Sequence, residues 1–336
     1  MKASSIKSEL ESHASTVNKF ILDSLDGRPK ELYQATSHLI RTGGKRLRPF
    51  MAIKSCEMLG GTIKRALPAA AAVELVHNFT LVHDDIMDND EMRHGTATVH
   101  RYYSMPLAIL AGDILFSKSF ELLTFNCRKV GIPDNDITNM VGRLSRACTD
   151  ICEGQAIDIG VASSSKFPKD EDYIKMIGKK TAALFEVSCA LGALSSPNHT
   201  ERDVENLSSF GRNIGTAFQL VDDLIGVVGD PKLTGKAAGN DIREGKKTYP
   251  ILLAINKSKP EKRDKILRVF GAKDKASNTD IREAVKVISD IGIEQDVRNA
   301  ARKYMNDALK SIESYGDSDA QHSLQFSADF VVGRSL

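Results

Sequence analysis

The sequence predicts an all-α protein, and three observations carry the prediction. Apolar residues recur at three- and four-residue spacing through most of the 336 residues. Alternating strand patterns are scarce, and start and stop signals bracket the periodic stretches. Pro29 opens a helix that runs to Arg41 and halts on Gly43-Gly44. Comparable stretches are expected at about 64–92, 106–127, 169–195, 200–228, 279–291 and 294–315. Ile137, Met140, Val141, Leu144, Cys148 and Ile151 mark another amphipathic helix, and the segment ASSSKFP at 162–168 reads as a loop. The helices around 71–83 and 182–194 carry little charge on most faces, which places them in the interior. No linker or repeat divides the chain, so residues 1–336 are expected to form a single domain.

Composition excludes several classes. The net charge is +2, with 27% charged residues spread evenly, so there is no footprint for nucleic acid or an anionic membrane. No 18-residue apolar run exists to form an integral membrane segment. The opening MKASSIKSELESHAS lacks the apolar centre of a signal peptide. Five cysteines without a CxxC pair argue against a disulfide framework and point to a reducing, cytoplasmic setting.

The chemistry concentrates in two acidic clusters, Asp84-Asp85-Ile86-Met87-Asp88 and Asp222-Asp223. Each ends an apolar run, AAAAVELVHNFTLVH and GTAFQLV respectively. Carboxylates converging in dry surroundings repel one another unless cations neutralise them. On a helix, Asp84 and Asp88 lie about 40° apart with Asp85 beside them. Oxygen ligands favour a hard ion such as Mg²⁺. His77 and His83 raise zinc, but no HExxH motif and no nearby cysteine supports it.

Phosphate recognition needs fixed positive groups. GGKRLRP supplies Lys45, Arg46 and Arg48 after a helix stop. Lys179, Lys180 and Thr181 are expected to open an apolar helix, where positive charge opposes the helix dipole and a bound anion would compensate it. The Gly-rich segment GDPKLTGKAAGNDIREGKKTYP carries Lys236 and Lys246, and its spacing does not fit a P-loop.

In that order, GGKRLRP, LVHDDIMD with Arg93, the Lys180-Thr181 pair, FQLVDD and the GKxxGxDxxxGKxTYP pattern resemble the trans-isoprenyl diphosphate synthases, in particular the archaeal-type short-chain enzymes. The resemblance implies an isoprenoid synthase-type bundle of about ten core helices around a deep central cavity, usually a homodimer, with the aspartate motifs facing each other across its mouth. It implies that Asp84, Asp88 and Asp222 hold about three Mg²⁺ ions on an allylic diphosphate, supported by Asp85 and Asp223. Arg93, Lys180, Thr181, Gln219, Lys236 and Lys246 match residues that grip the allylic substrate. Lys45, Arg48 and His77 match those that bind isopentenyl diphosphate. The reaction implied is head-to-tail prenyl transfer, in which no side-chain nucleophile is needed.

Two positions depart from the commonest pattern. Gly226 stands where a third Asp of the second motif is usual, with Asp230 as a partial substitute. His94 stands where a second Arg helps bind isopentenyl diphosphate. Product length is expected to depend on Phe79, about 7.5 Å below Asp84 along the helix, with Thr80 and Val76 beside it. By resemblance, an aromatic at Phe79 with Thr80 in the next position favours a C20 product, geranylgeranyl diphosphate, over C15. Phe79 lies about 140° around from Asp84, so it can form either the floor or a side wall of the cavity. Farnesyl or C25 synthases and a catalytically weak regulatory subunit are the alternatives.

Overall fold

The structure, a computed structural model, describes residues 3–93, 95–229 and 238–333. Helices account for most of it. Among the described residues the strands are β1 (Met92–Arg93) and β2 (Thr96–Ala97), which pair antiparallel in a small hairpin. The all-α expectation holds.

The chain divides into two compact units. The first comprises residues up to 148 together with 184–211 and 312–327. It contains α1 (Ala3–Ser24), α2 (Lys30–Arg41), α3 (Leu47–Met58), α4 (Ile63–Met87), α5 (Val99–Tyr102) and α6 (Met105–Glu121). A π-helical turn, Leu122–Asn126, continues α6 into the short α7 (Cys127–Lys129). The centre of this unit is α4. Ala69, Ala70, Ala71, Ala72, Val73, Leu75 and Val76 are all buried, so over two turns the helix is buried on every side and apolar except at Glu74. It packs most extensively against α6 and α3. Alanine side chains let those neighbours approach closely, as the charge-poor sequence anticipates.

Met87 ends α4, several residues short of the predicted limit. Asp88 caps the helix, donating its N–H to the Asp84 carbonyl at 2.8 Å. Asn89 then turns left-handed at φ 54°, which breaks the helix and leads into the hairpin.

The second unit comprises 149–183, 212–311 and the residues from 328 onward. It holds the last turns of α8 (Asp134–Ser163), all of α9 (Asp170–Ile177), a second π-helical turn (Gly178–Ala182) and the C-terminal half of α11 (Glu201–Val228). α12 (Asn240–Glu244), α13 (Tyr249–Lys257), α14 (Pro260–Val269), α15 (Asn278–Asp290) and α16 (Ile293–Ile312) follow. Two helices return residues to the first unit: α10 (Ala183–Ser195) and α17 (Asp319–Val332). The loop expected at 162–168 begins only after Ser163, because α8 runs on to that residue.

Candidate active site

The first acidic cluster is graded by burial. Asp85 is fully buried, Asp84 is half-buried and Asp88 is exposed. This is the order the helix phase predicts, with Asp84 and Asp88 on the outward face. Arg93, on β1, reaches back to donate to Asp85 Oδ1 and also lies 3.4 Å from Asp90. Burial pushes the Asp85 carboxyl above the usual range, with Arg93 opposing that rise. Asp85 Oδ2 is buried with no hydrogen-bond partner among the described residues. An orphaned carboxylate oxygen beside two accessible ones is a donor set that fits a hard cation. No three such side chains among the described residues converge to hold a metal alone. That arrangement suits Mg²⁺, which takes one or two carboxylates and completes its shell with water and substrate phosphate.

The GGKRLRP turn separates its basic residues by role. Arg46 does not face an anion site. Its side chain is buried, with Nη1 on Glu74 at 2.9 Å, Nη2 on the Ile40 carbonyl at 2.9 Å and Nε on Asn18 at 2.7 Å. Asn78 donates to the same Glu74 oxygen at 3.0 Å. Arg46 adopts a left-handed backbone at φ 50° ahead of α3, and the buried pair holds that turn in place. Lys45 is left exposed, while the Arg48 guanidinium lies 4.1 Å over the Phe185 ring. His77 is half-buried on α4, one turn beyond Glu74.

Lys179, Lys180 and Thr181 do not open a helix. They form the π-helical turn inside one continuous run from α9 to α10, so no helix N-terminus exists there to disfavour their charge. Acids on α8 compensate them instead. Lys180 Nζ pairs with Asp158 at 2.6 Å, and Lys179 pairs with Asp150 at 2.7 Å and with Glu153. A Cβ on Gly154 would lie 2.4 Å from the Lys180 nitrogen, so only glycine lets α8 pass this turn so closely. π-helical turns recur at functional sites because the extra residue re-aims the side chains around it. Sequence periodicity could not reveal this one, although the acids of α8 were visible as Asp150, Glu153 and Asp158.

On α11, Asp222 is exposed and Asp223 is buried, the same division as in the first cluster. Asp223 accepts from the Tyr173 hydroxyl and, at 2.8 Å, from Gln219 Nε2. Gln219 Oε1 accepts in turn from Thr181 Oγ1 at 2.8 Å. Burial pushes Asp223 up to about 8 despite these bonds, and raises the Tyr173 phenol well above its ordinary value. Tyr173 belongs to no recognisable motif and was not legible as a site residue. One turn beyond Asp222, the Asp241 carboxylate fills the space that a side chain at Gly226 would need. Lys246 is exposed. Lys247 closes the C-terminus of α8, donating to the Val161 carbonyl at 2.7 Å and to that of Ser164 at 2.5 Å. His94, Asp230 and Lys236 lie outside the described residues.

Below Asp84, Phe79 meets His83 edge-to-face at 4.8 Å and Phe116 on α6 at 5.2 Å, and Phe116 meets Phe120 at 5.1 Å. Phe79 and Thr80 are half-buried and Val76 is fully buried. His83 packs on Phe79, and its Nε2 lies 3.3 Å from the Ile109 carbonyl.

Comparison with known proteins agrees with these features. The polyprenyl synthetase family model matches residues 29–288. A geranylgeranyl diphosphate synthase of Sulfolobus acidocaldarius is 39% identical over 95% of this chain and 96% of its own. A geranylfarnesyl diphosphate synthase of Aeropyrum pernix is 36% identical over 95% of this chain and 99% of its own. The crystal structure of a geranylgeranyl pyrophosphate synthetase from Pyrococcus horikoshii superposes with a TM-score of 0.92 at 36% identity, covering 100% of both chains. A polyprenyl synthase from Caulobacter crescentus, solved with calcium and isoprenyl diphosphate, has a TM-score of 0.87 at 30% identity, covering 100% of this chain and 98% of its own. The chain belongs to the polyprenyl synthetase family and, within it, is a short-chain trans-prenyltransferase.

Proposed function

We propose that this enzyme condenses isopentenyl diphosphate with dimethylallyl, geranyl and farnesyl diphosphates, giving geranylgeranyl diphosphate and free diphosphate. Phe79 carries the reading of product length. It sits five residues before Asp84 and is braced by Phe116, so an aromatic wall lies beneath the first acidic cluster. A growing prenyl tail stopped at that wall ends at C20.

Asp84, Asp88 and Asp222 would hold Mg²⁺ on the allylic diphosphate, with Asp85 and Asp223 behind them. When bound, Mg²⁺ neutralises the charge that develops on the departing diphosphate. Lys180, Arg93, Thr181, Gln219, Lys236 and Lys246 grip the allylic substrate, and Lys45, Arg48, His77 and His94 orient isopentenyl diphosphate. The allylic C–O bond breaks, and the isopentenyl double bond attacks the resulting cation at C1. A proton then leaves the condensed product, with the released diphosphate as its acceptor. Fixed cations around the diphosphate favour the charge-separated state over the bound substrate, which is where the rate is gained.

The family match at 29–288 runs through both compact units, which supports reading 1–336 as one functional domain. Homodimerisation fits the exposed apolar residues Met105, Ile109 and Leu110 on α6 and Phe125 beyond it, a stripe that a second copy would cover. Among the described residues no helix is long and apolar enough to cross a membrane. Burial raises the thiols of Cys56, Cys127 and Cys189 to about 12, which keeps them unreactive; the cytoplasmic reading rests on the cysteine pattern of the sequence alone.

Incubation with isopentenyl diphosphate, each allylic primer and Mg²⁺, followed by product chromatography, tests the proposal. Accumulation of the C20 diphosphate supports it. A C15 or C25 end product corrects the length, and no product with any primer would identify a regulatory subunit instead.

A further inference from the structure

Four residues of the second unit form one directed hydrogen-bond chain. Thr181 Oγ1 donates to Gln219 Oε1 at 2.8 Å, Gln219 Nε2 donates to Asp223 Oδ1 at 2.8 Å, and the Tyr173 hydroxyl donates to Asp223 Oδ2. Two separate pieces of chain meet here: the continuous run of α9 and the π-helical turn, and α11. The polarity of the chain is set at its Asp223 end. With Asp223 ionised, both of its oxygens only accept, so Gln219 turns its amide nitrogen toward Asp223 and its oxygen toward Thr181. That in turn spends the single hydroxyl hydrogen of Thr181. The carboxylate can hold this line only while its own orientation is fixed, and Tyr173 supplies the second point of attachment. Tyr173 is 4% exposed and Asp223 is 4% exposed, so water does not readily replace either partner.

We propose that Tyr173 is a positioning residue for the allylic half of the reaction: by pinning Asp223, it holds the Gln219 amide and the Thr181 hydroxyl in a single orientation. The inference rests on reading Thr181 and Gln219 as allylic-site residues. It adds a residue from outside every motif, one that acts through Gln219 and need not touch substrate itself. Its phenol also stacks near Tyr249 on α13, with ring centroids 6.1 Å apart. Tyr173→Phe therefore keeps the ring packing and removes only the donor.

A double-mutant cycle tests this, using full-length wild type, Tyr173→Phe, Gln219→Ala and the double variant. Each is measured for kcat, for KM toward geranyl diphosphate and toward isopentenyl diphosphate, and for its melting curve. Losing a hydrogen bond to a charged group predicts a fall of about tenfold or more in kcat/KM for geranyl diphosphate in Tyr173→Phe. KM for isopentenyl diphosphate should stay within about twofold, and the effect of Tyr173→Phe should nearly vanish in the Gln219→Ala background. Equal fold losses in both backgrounds, equal shifts in both KM values, or no loss in a folded Tyr173→Phe enzyme would each overturn the proposal. Wild type that forms no prenyl product overturns the functional reading itself, whereas active wild type with an indifferent Tyr173→Phe overturns the positioning role alone.

Discussion

Gly226 and Asp241 share one volume: a Cβ added at Gly226 would lie 2.2 Å from Asp241 Oδ2 and 2.6 Å from its Cγ. The glycine that interrupts the second aspartate motif is thus matched to a carboxylate arriving from α12. Acidic charge is retained beside Asp222 and Asp223 although position 226 carries none. Asp230, the substitute expected from sequence, lies outside the described residues. Restoring the commonest motif with Gly226→Asp should therefore harm the enzyme, lowering kcat by about tenfold or more through overpacking and like-charge repulsion. Exchanging the two residues, Gly226→Asp with Asp241→Gly, should recover much of the loss. Steady-state kinetics on the three variants checks this, and an unimpaired Gly226→Asp would show that the two positions are independent.

Asp84 is half-buried and Asp222 exposed, each beside a buried aspartate neighbour. Asp84→Ala and Asp222→Ala are expected to reduce kcat by at least about a hundredfold, the scale for losing a principal charge-stabilising group. Asp85→Asn should act differently, lowering Mg²⁺ affinity and stability together, because its Arg93 partner loses a buried anion. Mg²⁺ titrations of activity, paired with thermal melts, separate the two behaviours. Near-wild-type turnover in folded Asp84→Ala would remove that residue from the metal site.

Phe79 and Phe116 touch, with ring centroids 5.2 Å apart, so their effects on product length should be coupled. Phe79→Ala should yield products longer than C20. Phe116→Ala should lengthen them less, by loosening the support of Phe79 and leaving its ring in place. Thr80→Phe should shorten products toward C15. Chromatography of reaction products reads all three, and clean termination of Phe79→Ala at the wild-type length would place the stop elsewhere.

Thr200 and Asp203 fasten the start of α11, the helix that carries the second acidic cluster. Asp203 Oδ2 accepts from the Thr200 N–H at 2.8 Å and from its hydroxyl at 2.6 Å, while Thr200 Oγ1 accepts from the Asp203 N–H at 3.2 Å. Desolvation raises the Asp203 carboxyl, but the bonds from Thr200 and Tyr315 outweigh it and leave the folded pKa lowered. A depressed folded pKa gives stability that is fully present above the unfolded Asp value, about 3.9, and is lost as pH falls through the folded value. Thr200→Ala should cost about 1 kcal/mol. Asp203→Asn should destabilise at pH 7, with the difference from wild type shrinking as pH drops below that range. Urea melts at neutral and acid pH measure both.

Most of the helical framework was legible because burial imposes a period of about 3.6 residues on the sequence. Among the described residues seven helices escaped: α1, α3, the short α5 and α12, and α13, α14 and α17. α3 hides behind a basic turn, and its buried run from Pro49 to Cys56 is apolar on too many faces to show a clean stripe. α1 does carry one, with Ile6, Leu10, Val17 and Ile21 all buried, but it lacks a start signal. The acidic clusters and basic motifs could be read because unusual charge next to apolar sequence needs a reason. Arg46 looked the same as Arg48 in sequence, and only the inward reach to Glu74 separates them. Tyr173 and Phe116 were invisible for another reason: each gains its meaning from a partner more than ten residues away in the chain, and although Asp241 stands in the GKxxGxDxxxGKxTYP pattern, its approach to Gly226 is hidden in the same way.

Asp84 and Phe79 are carried on the same rigid rod. The proposed anchor for the substrate head and the proposed stop for its tail therefore cannot drift relative to one another, since the hydrogen-bond ladder of one helix fixes their separation. Side chains facing one direction recur only every three or four residues, about 5.4 Å per turn. Changes of specificity along α4 should consequently arrive as discrete jumps between product classes. A mixed distribution would instead point to a wall built on a neighbouring helix, where small shifts in packing act as a fine adjustment.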